Sequence, residues 1–282
     1  MALVEENIVV KFDGQLASSH RLPAYEAAQS LYGITRSILI LTNYLHEGRV
    51  RRRDFDAPPF RFELIAQQPG SFDAILQIIT DPQNLTAVGG AITTGIAANF
   101  IGDFIKSLLN RGVGGKASSQ IEEMESREVL SPGDLSALVD AIEPSLKAAH
   151  TVVNRGAGSI IIINGDGNSV KFDSATKRYL QTTIADNDLK TKLFSIASFN
   201  ANSRQGRMFD FEVGKTLPFE IAKDADRDTY QNIIDSISSY TFRRLGDNLR
   251  SSIAVQYRTL NSIEGDIKKV IILRARPHMG DL

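Results

Sequence analysis

The sequence predicts an α+β protein in three parts: a helix-on-antiparallel-sheet module over 1–80, a helical region over 81–155 with a Gly-rich apolar helix, and a small β-barrel-like module over 156–282. Three observations carry this. One long amphipathic stretch is followed by two alternating strands around a Pro-Gly turn. An uncharged run of small residues occupies Pro82 to Gly102. Beyond Gly156, short apolar strands recur between turn signals.

In the first part, Asn7 to Phe12 reads as a strand and Asp13-Gly14 as a turn, with a short return strand near His20. Pro23 opens a helix to about His46, because proline is tolerated in a first turn, and Gly48 ends it. Its expected buried stripe is Tyr25, Ala28, Leu31, Tyr32, Ile38, Leu41 and Leu45. Phe60, Phe62, Leu64 and Ala66 alternate with polar residues, as do Phe72, Ala74, Leu76 and Ile78, and Gln68-Pro69-Gly70-Ser71 joins them as a hairpin.

The central part holds a candidate membrane helix over 82–110. About 20 uncharged residues is what a bilayer crossing needs. Ala87, Ala91 and Gly95 form one small-residue row and Gly90, Thr94, Ala98 and Gly102 the next, with Gly89 a further glycine of the helix, while Leu85, Val88, Ile92, Ile96 and Phe100 form a bulky face. Small rows let helices approach closely. Three uses follow: a buried or oligomer-forming helix, a permanent membrane span, or a metastable segment sequestered by sister copies and later released into lipid. In the last, Ile92, Ile96 and Phe100 meet lipid, while Gly90, Ala91, Gly95 and Ala98 pack helix on helix. Gly112 to Ser119 reads as a glycine-rich linker and hinge. Ser131-Pro132 starts a further helix that Pro144 is expected to break or kink.

In the last part, Ile160–Ile163 and Val170–Phe172 flank a tight turn, and a short helix runs near Ala175 to Thr182. Strands are expected at 191–200, 207–213, 217–221, 240–244, 253–259 and 270–274, with a helix near Asp226 to Ile237.

Composition narrows the function classes. Lys and Arg total 32 against 33 acids, so any basic footprint must be local. Without cysteine there is no disulfide, thiol catalysis or Cys-ligated metal, and a cytoplasmic protein is expected; Met1 to Val10 lacks the pattern of a secretory signal. No enzyme motif stands out, and no cofactor is expected. Gly112 to Lys116 fails as a phosphate loop, because Asn110 and Ala117 stand where a glycine and a Ser or Thr are required. His20, His46, His150 and His278 show no metal-ligand spacing.

Three arginine groups are candidate phosphate-binding sites: Arg51, Arg52 and Arg53 after the first helix; Arg204 and Arg207 around a turn; and Arg243 and Arg244. Guanidinium forks suit phosphate oxygens. Phe199, Phe209, Phe211, Tyr240, Phe242 and Tyr257 lie near enough in sequence to stack on bases. The plainer reading makes the arginines solvated loop residues, with Arg51 to Arg53 balanced by Asp54 and Asp56, and makes the aromatics core.

The stretch Phe12 to Tyr32, the hairpin Gln68-Pro69-Gly70-Ser71-Phe72, the Gly-rich apolar helix and the terminal barrel together resemble the membrane effector of Hailong-type bacterial anti-phage defence systems. That resemblance implies an inactive soluble homo-oligomer, a tetramer being one candidate size. A partner nucleotidyltransferase would supply a short single-stranded oligonucleotide or nucleotide that restrains it. On release the protein would permeabilise the inner membrane. No ligand-contact residue carries over. The competing expectation is a soluble oligomeric scaffold or adaptor whose Gly-rich helix is only an interface.

Overall fold

The computed structural model describes residues 3–53, 55, 60–65, 73–88, 94–127, 129–164, 169–212, 215–244, 251–262, 265 and 267–282, with backbone alone for 94–98, 132, 215, 243 and 244. The chain forms two compact units. The first is 1–130 with 138–181, and the second is 131–137 with 182–282.

The first unit is built on a sheet of five antiparallel strands: β1 (Val4–Asp13), β2 (Arg61–Ile65), β3 (Asp73–Thr80), β4 (Ser159–Ile163) and β5 (Ser169–Phe172), in spatial order β2-β3-β1-β4-β5. β1 alternates buried Val4, Ile8, Val10 and Phe12 with more exposed neighbours, so one face is committed to the core. The sequence expectation left β4 and β5 in the last module. The register Val9↔Ile163 to Asp13↔Ser159 places them beside β1 instead. Strands far apart in sequence pair because the isoleucines of β4 complete the apolar face that β1 begins.

Helices α1 (Ala24–Glu47), α2 (Thr94–Gly112), α3 (Ser119–Ser126) and α5 (Ser174–Gln181) belong to this unit, as does the larger part of α4 (Pro132–Ala149). α1 follows Pro23 and stops at Gly48, whose φ of 64° is the left-handed stop that glycine adopts freely; its N–H bonds the Tyr44 carbonyl at 2.8 Å. The buried stripe of α1 differs from the expected one. Tyr25 and Tyr32 are 69 % and 60 % exposed, and the inner face is Ser30, Gly33, Ile34, Ser37, Ile38, Leu41 and Leu45. Small residues win this face because α4 crosses it closely: a Cβ on Gly33 would stand 2.4 Å from the Ala149 nitrogen and the Ser145 carbonyl.

Several other expectations change. No strand forms near His20; a 3-10 turn spans Gln15–Ser19, and His20 ends it with φ 55°. Residues Pro82–Asn84 and Thr86–Val88 are 3-10 turns, and the α-helix begins at Thr94, so 82–110 is not one continuous helix. Asp81 caps the first turn by accepting from the Gln83 N–H at 3.0 Å. The Gly112 to Ser119 stretch is a packed turn, not a slack hinge. Gly115 N–H bonds the Asn110 carbonyl at 2.8 Å, and the Asn110 amide donates to the Lys116 carbonyl at 2.7 Å. α4 runs through Pro144 unbroken, with Leu138, Ala141, Ile142, Leu146 and Ala149 buried on both sides of it.

The second unit is a closed barrel of β6 (Ile184–Asn200), β7 (Gln205–Asp210), β8 (Lys215–Ile221), β9 (Ser252–Asn261) and β10 (Ile267–Arg276). The order around it is β6-β7-β8-β10-β9, closing on β6; only β8 and β10 pair in parallel. Helix α6 (Arg227–Arg244) connects β8 to β9, packs on β6 and β10, and sends Ile233 into the core. It absorbs the strand expected at Tyr240–Arg244: Tyr230, Ile233 and Ile237 recur at helical spacing against the barrel, and that burial overrides the β-propensity of Tyr240 and Phe242.

Candidate ligand-binding face of the barrel

β7 divides cleanly. Gly206, Met208 and Asp210 are buried, while Gln205, Arg207 and Phe209 alternate onto the other side. Pairing carries that outer row onto both neighbours. Gln205 faces Glu220, Arg207 faces Pro218 and Phe209 faces Thr216 on β8. Asn200, Ser198 and Ser195 stand opposite the same three on β6. Gly206 allows the close pairing beneath: a Cβ there would lie 2.1 Å from the Ser198 carbonyl and 2.6 Å from the Phe219 ring that fills the core.

The turn before β7 is tight. The Asn200 side-chain oxygen accepts from the N–H groups of Asn202 and Ser203 at 3.0 and 3.2 Å, an Asx turn. Arg204 closes it with φ 59°, a left-handed conformation that costs a residue with a Cβ roughly 1–2 kcal/mol. Its carbonyl accepts from Ile221 N–H at 2.8 Å. Its guanidinium lies 3.9 Å from Glu220, which Lys269 approaches to 3.5 Å. Arg204 and Lys269 therefore both approach one carboxylate, and Arg207 lies two positions along β7 from Gln205, the residue opposite Glu220.

Phe209 and Phe211 meet edge to face with centroids 5.5 Å apart, and Phe211 is 46 % exposed. Arg207 donates to the Ser136 hydroxyl at 3.3 Å and to the Thr216 carbonyl at 3.4 Å. Ser198 Oγ and Gln205 Oε1, on the same face, are buried with no hydrogen-bond partner. Each such atom costs about 1–3 kcal/mol relative to a satisfied one.

Nearby charges are already used. Lys192 bridges Asp210 at 2.6 Å and Glu212 at 2.8 Å. Burial opposes its charge, but those bonds outweigh burial and hold its pKa above the ordinary lysine value. Asp226 is pulled well below the usual carboxylate range by Arg276 and by its bonds to Thr229.

The other arginine candidates are not brought to this face by any described contact. Arg51 bonds Glu47 at 2.7 Å, the Arg52 carbonyl accepts from Arg36 at 2.7 Å, and Arg53 is exposed beyond α1. Arg243 and Arg244 end α6, and their side chains lie outside the described residues. Of the aromatics, Phe199 stacks on Phe219 at 6.2 Å against the core, Tyr257 is buried, and Tyr240 and Phe242 are on α6.

Gly89, Gly90, Ala91 and Ile92 lie outside the described residues, as do the side chains of Gly95, Ile96 and Ala98. Phe100 is buried in the first unit, 6.0 Å from Phe104. Gly102 lets α2 approach the chain's own strand: a Cβ would meet Glu6 Oε1 at 2.3 Å and Asn164 Nδ2 at 2.1 Å. No described helix is long and apolar enough to cross a membrane. Among the described residues no group of three His, Asp or Glu is placed to hold a metal.

Sequence reasoning missed Ser198, Gln205 and the covering residues near Ser136. The alternation of β7 could have found Gln205; the others needed long-range pairing.

The strand order, the parallel closing pair and the helix between the third and fourth strands define a barrel of the OB-fold class, whose second and third strands and neighbouring loops are its usual binding surface. The chain belongs to the family described as a domain of unknown function, DUF7946, whose model matches residues 8–181. Residues 188–276 match a second description, a family of unknown function, DUF7947. No curated protein and no solved structure matches the chain.

Proposed function

We propose that this protein is a non-enzymatic binding protein whose barrel holds a nucleotide or a short single-stranded oligonucleotide across β6, β7 and β8. The carrying observation is that Arg204, Arg207, Phe209 and Phe211 share one outer face with the unpartnered Ser198 and Gln205. Guanidinium groups take phosphate oxygens, an exposed ring stacks on a base, and the orphaned polar atoms accept or donate to base edges or sugar. The barrel class adds support by analogy of fold.

Titrating a fluorescent single-stranded DNA of about six nucleotides, within the site size of such barrels, tests this by anisotropy. Binding is expected at low salt and weakens as salt rises. Phe211→Ala should lower affinity roughly 5- to 150-fold, the range of one lost base stack. A wild-type protein that binds neither the oligonucleotide nor mononucleotides at low salt would remove the proposal.

The anti-phage effector reading adds self-association, a nucleotidyltransferase partner and a release step at the inner membrane. That step asks α2 to leave the first unit. Phe100, Ile101, Phe104, Ile105, Leu108 and Leu109 are all fully buried there, and passing six such side chains through water costs about 9–18 kcal/mol, a barrier to release that re-burial in lipid later returns. A whole domain is stable by only about 5–15 kcal/mol. The ligand-binding reading needs no such step, and a scaffold or adaptor role is equally compatible with it. Dye release from liposomes by the full chain, with and without oligonucleotide, decides whether the membrane step is added.

A further inference from the structure

The barrel's candidate binding face is covered by a piece of its own chain. Residues 131–137, which include the first turn of α4, belong to the same compact unit as the barrel. Gly133 lies against β6 so closely that a Cβ would stand 3.0 Å from Ser198 Oγ and 3.2 Å from Ser198 Cβ. Ser136 accepts from Arg207 at 3.3 Å, and Leu135 and Ala137 are buried. The cover therefore sits on two of the residues that the proposed ligand would use.

We propose that residues 131–137 act as a tethered competitor that must lift from β6 and β7 before ligand engages Arg207 and Ser198. The inference rests on the binding reading above and concerns its regulation. The fit of the cover is incomplete in a telling way. It buries Ser198 Oγ and leaves that atom without a hydrogen bond, with Gln205 Oε1 equally unpartnered two strand positions from Arg207. A well-matched permanent interface satisfies its buried polar atoms. The bond from Arg207 to Ser136 is long, at 3.3 Å. A polar ligand that bonds Ser198 Oγ and Gln205 Oε1 is thus a better complement to these atoms than the segment now on them. Gly133 is what allows the cover to close, because any side chain there presses on Ser198.

The test uses the full chain and the same fluorescent oligonucleotide. Gly133→Val should bind about tenfold more tightly than wild type, since a weakened cover raises the binding-competent fraction. Ser136→Ala, which leaves the backbone fit intact, should tighten binding a few-fold by the same reasoning. Amide exchange of 133–137 in the wild-type protein should accelerate when the probe is saturating. Equal affinity in wild type and both variants, or exchange unchanged by bound probe, overturns the competitor while leaving the binding face standing. If no form binds the probe or mononucleotides, the binding reading falls and the competitor falls with it. Should Gly133→Val fail to fold, Ser136→Ala and the exchange measurement carry the decision.

Discussion

The two units keep their polar groups in different states. In the first, beside the buried Glu6 and Lys106, burial holds two histidines neutral. His150 is enclosed with Nδ1 on the Leu146 carbonyl at 2.7 Å and Nε2 on the Thr176 hydroxyl at 2.9 Å, its ring stacked on Phe172. His46 sits against Thr80 at 2.9 Å and stacks on Phe60. In the barrel, charge is retained and paired: Lys192 with Asp210, Lys190 with Asp186, Arg276 with Asp226. The first unit is organised as a closed scaffold, with helix backbone pressed on helix backbone. The barrel's perturbed Lys192 and Asp226 are instead members of ion pairs, and its unmatched Ser198 and Gln205 atoms lie in the same outer row as Arg207.

Four perturbations separate the units, from the largest effect down. Phe104→Ala empties a fully buried ring site of the first unit and should cost about 3–5 kcal/mol in urea unfolding. The barrel's own transition should stay in place; a single shared shift would mean that the two units unfold as one.

Acid should divide them next. Burial is the main cause that lowers the pKa of His150, to about 4, against an ordinary value of 6.5. The unfolded chain therefore takes up a proton that the folded unit refuses. Stability is full above pH 6.5 and falls as pH drops toward 4, by about 3 kcal/mol for that interval. In the barrel, Asp226 titrates below the usual carboxylate range, so the stability its pairing contributes is retained through that interval and lost only at stronger acidity. Thermal melts between pH 7 and 4 should show the first unit weakening first, and His150→Gln should flatten that dependence.

Gly33→Ala comes third. Its Cβ would fall on Ser145 and Ala149 backbone, so α1 and α4 must part, at about 1–3 kcal/mol by analogy with overpacked cores. Smallest is Arg204→Gly, which relieves the left-handed strain and should stabilise the barrel by about 1 kcal/mol while weakening oligonucleotide binding. A gain in stability with unchanged binding would take Arg204 out of the ligand face.

Local chemistry was readable where it decides structure alone. Pro23 and Gly48 bound α1 as expected, and β3, β6 to β10 and the turn before Arg204 follow alternation and turn residues. The barrel-like module was readable, but which strands close it was not, because closure depends on Val270 to Ile272 lying parallel to Phe219 to Ile221 across an intervening helix. Tyr32 misled for a related reason: the face of α1 was chosen by Ser145 and Ala149, more than a hundred residues away in sequence. The arginine pair at 204 and 207 was legible as a cluster, but Ser136 beside it was not, since nothing local to β7 announces a contact from residue 136.

Helix α4 is divided in membership between the units, its residues up to 137 with the barrel and those from 138 onward with the sheet. Neither half of the coding sequence therefore encodes a whole domain. Cloning 182–282 on its own, the obvious dissection given where the family matches stop and start, would produce a barrel missing seven residues of its natural exterior. Such a fragment is expected to be the stickier molecule, and any recombination that transplanted the barrel into a new protein would have to carry a sequence-remote heptad with it or free the barrel from restraint.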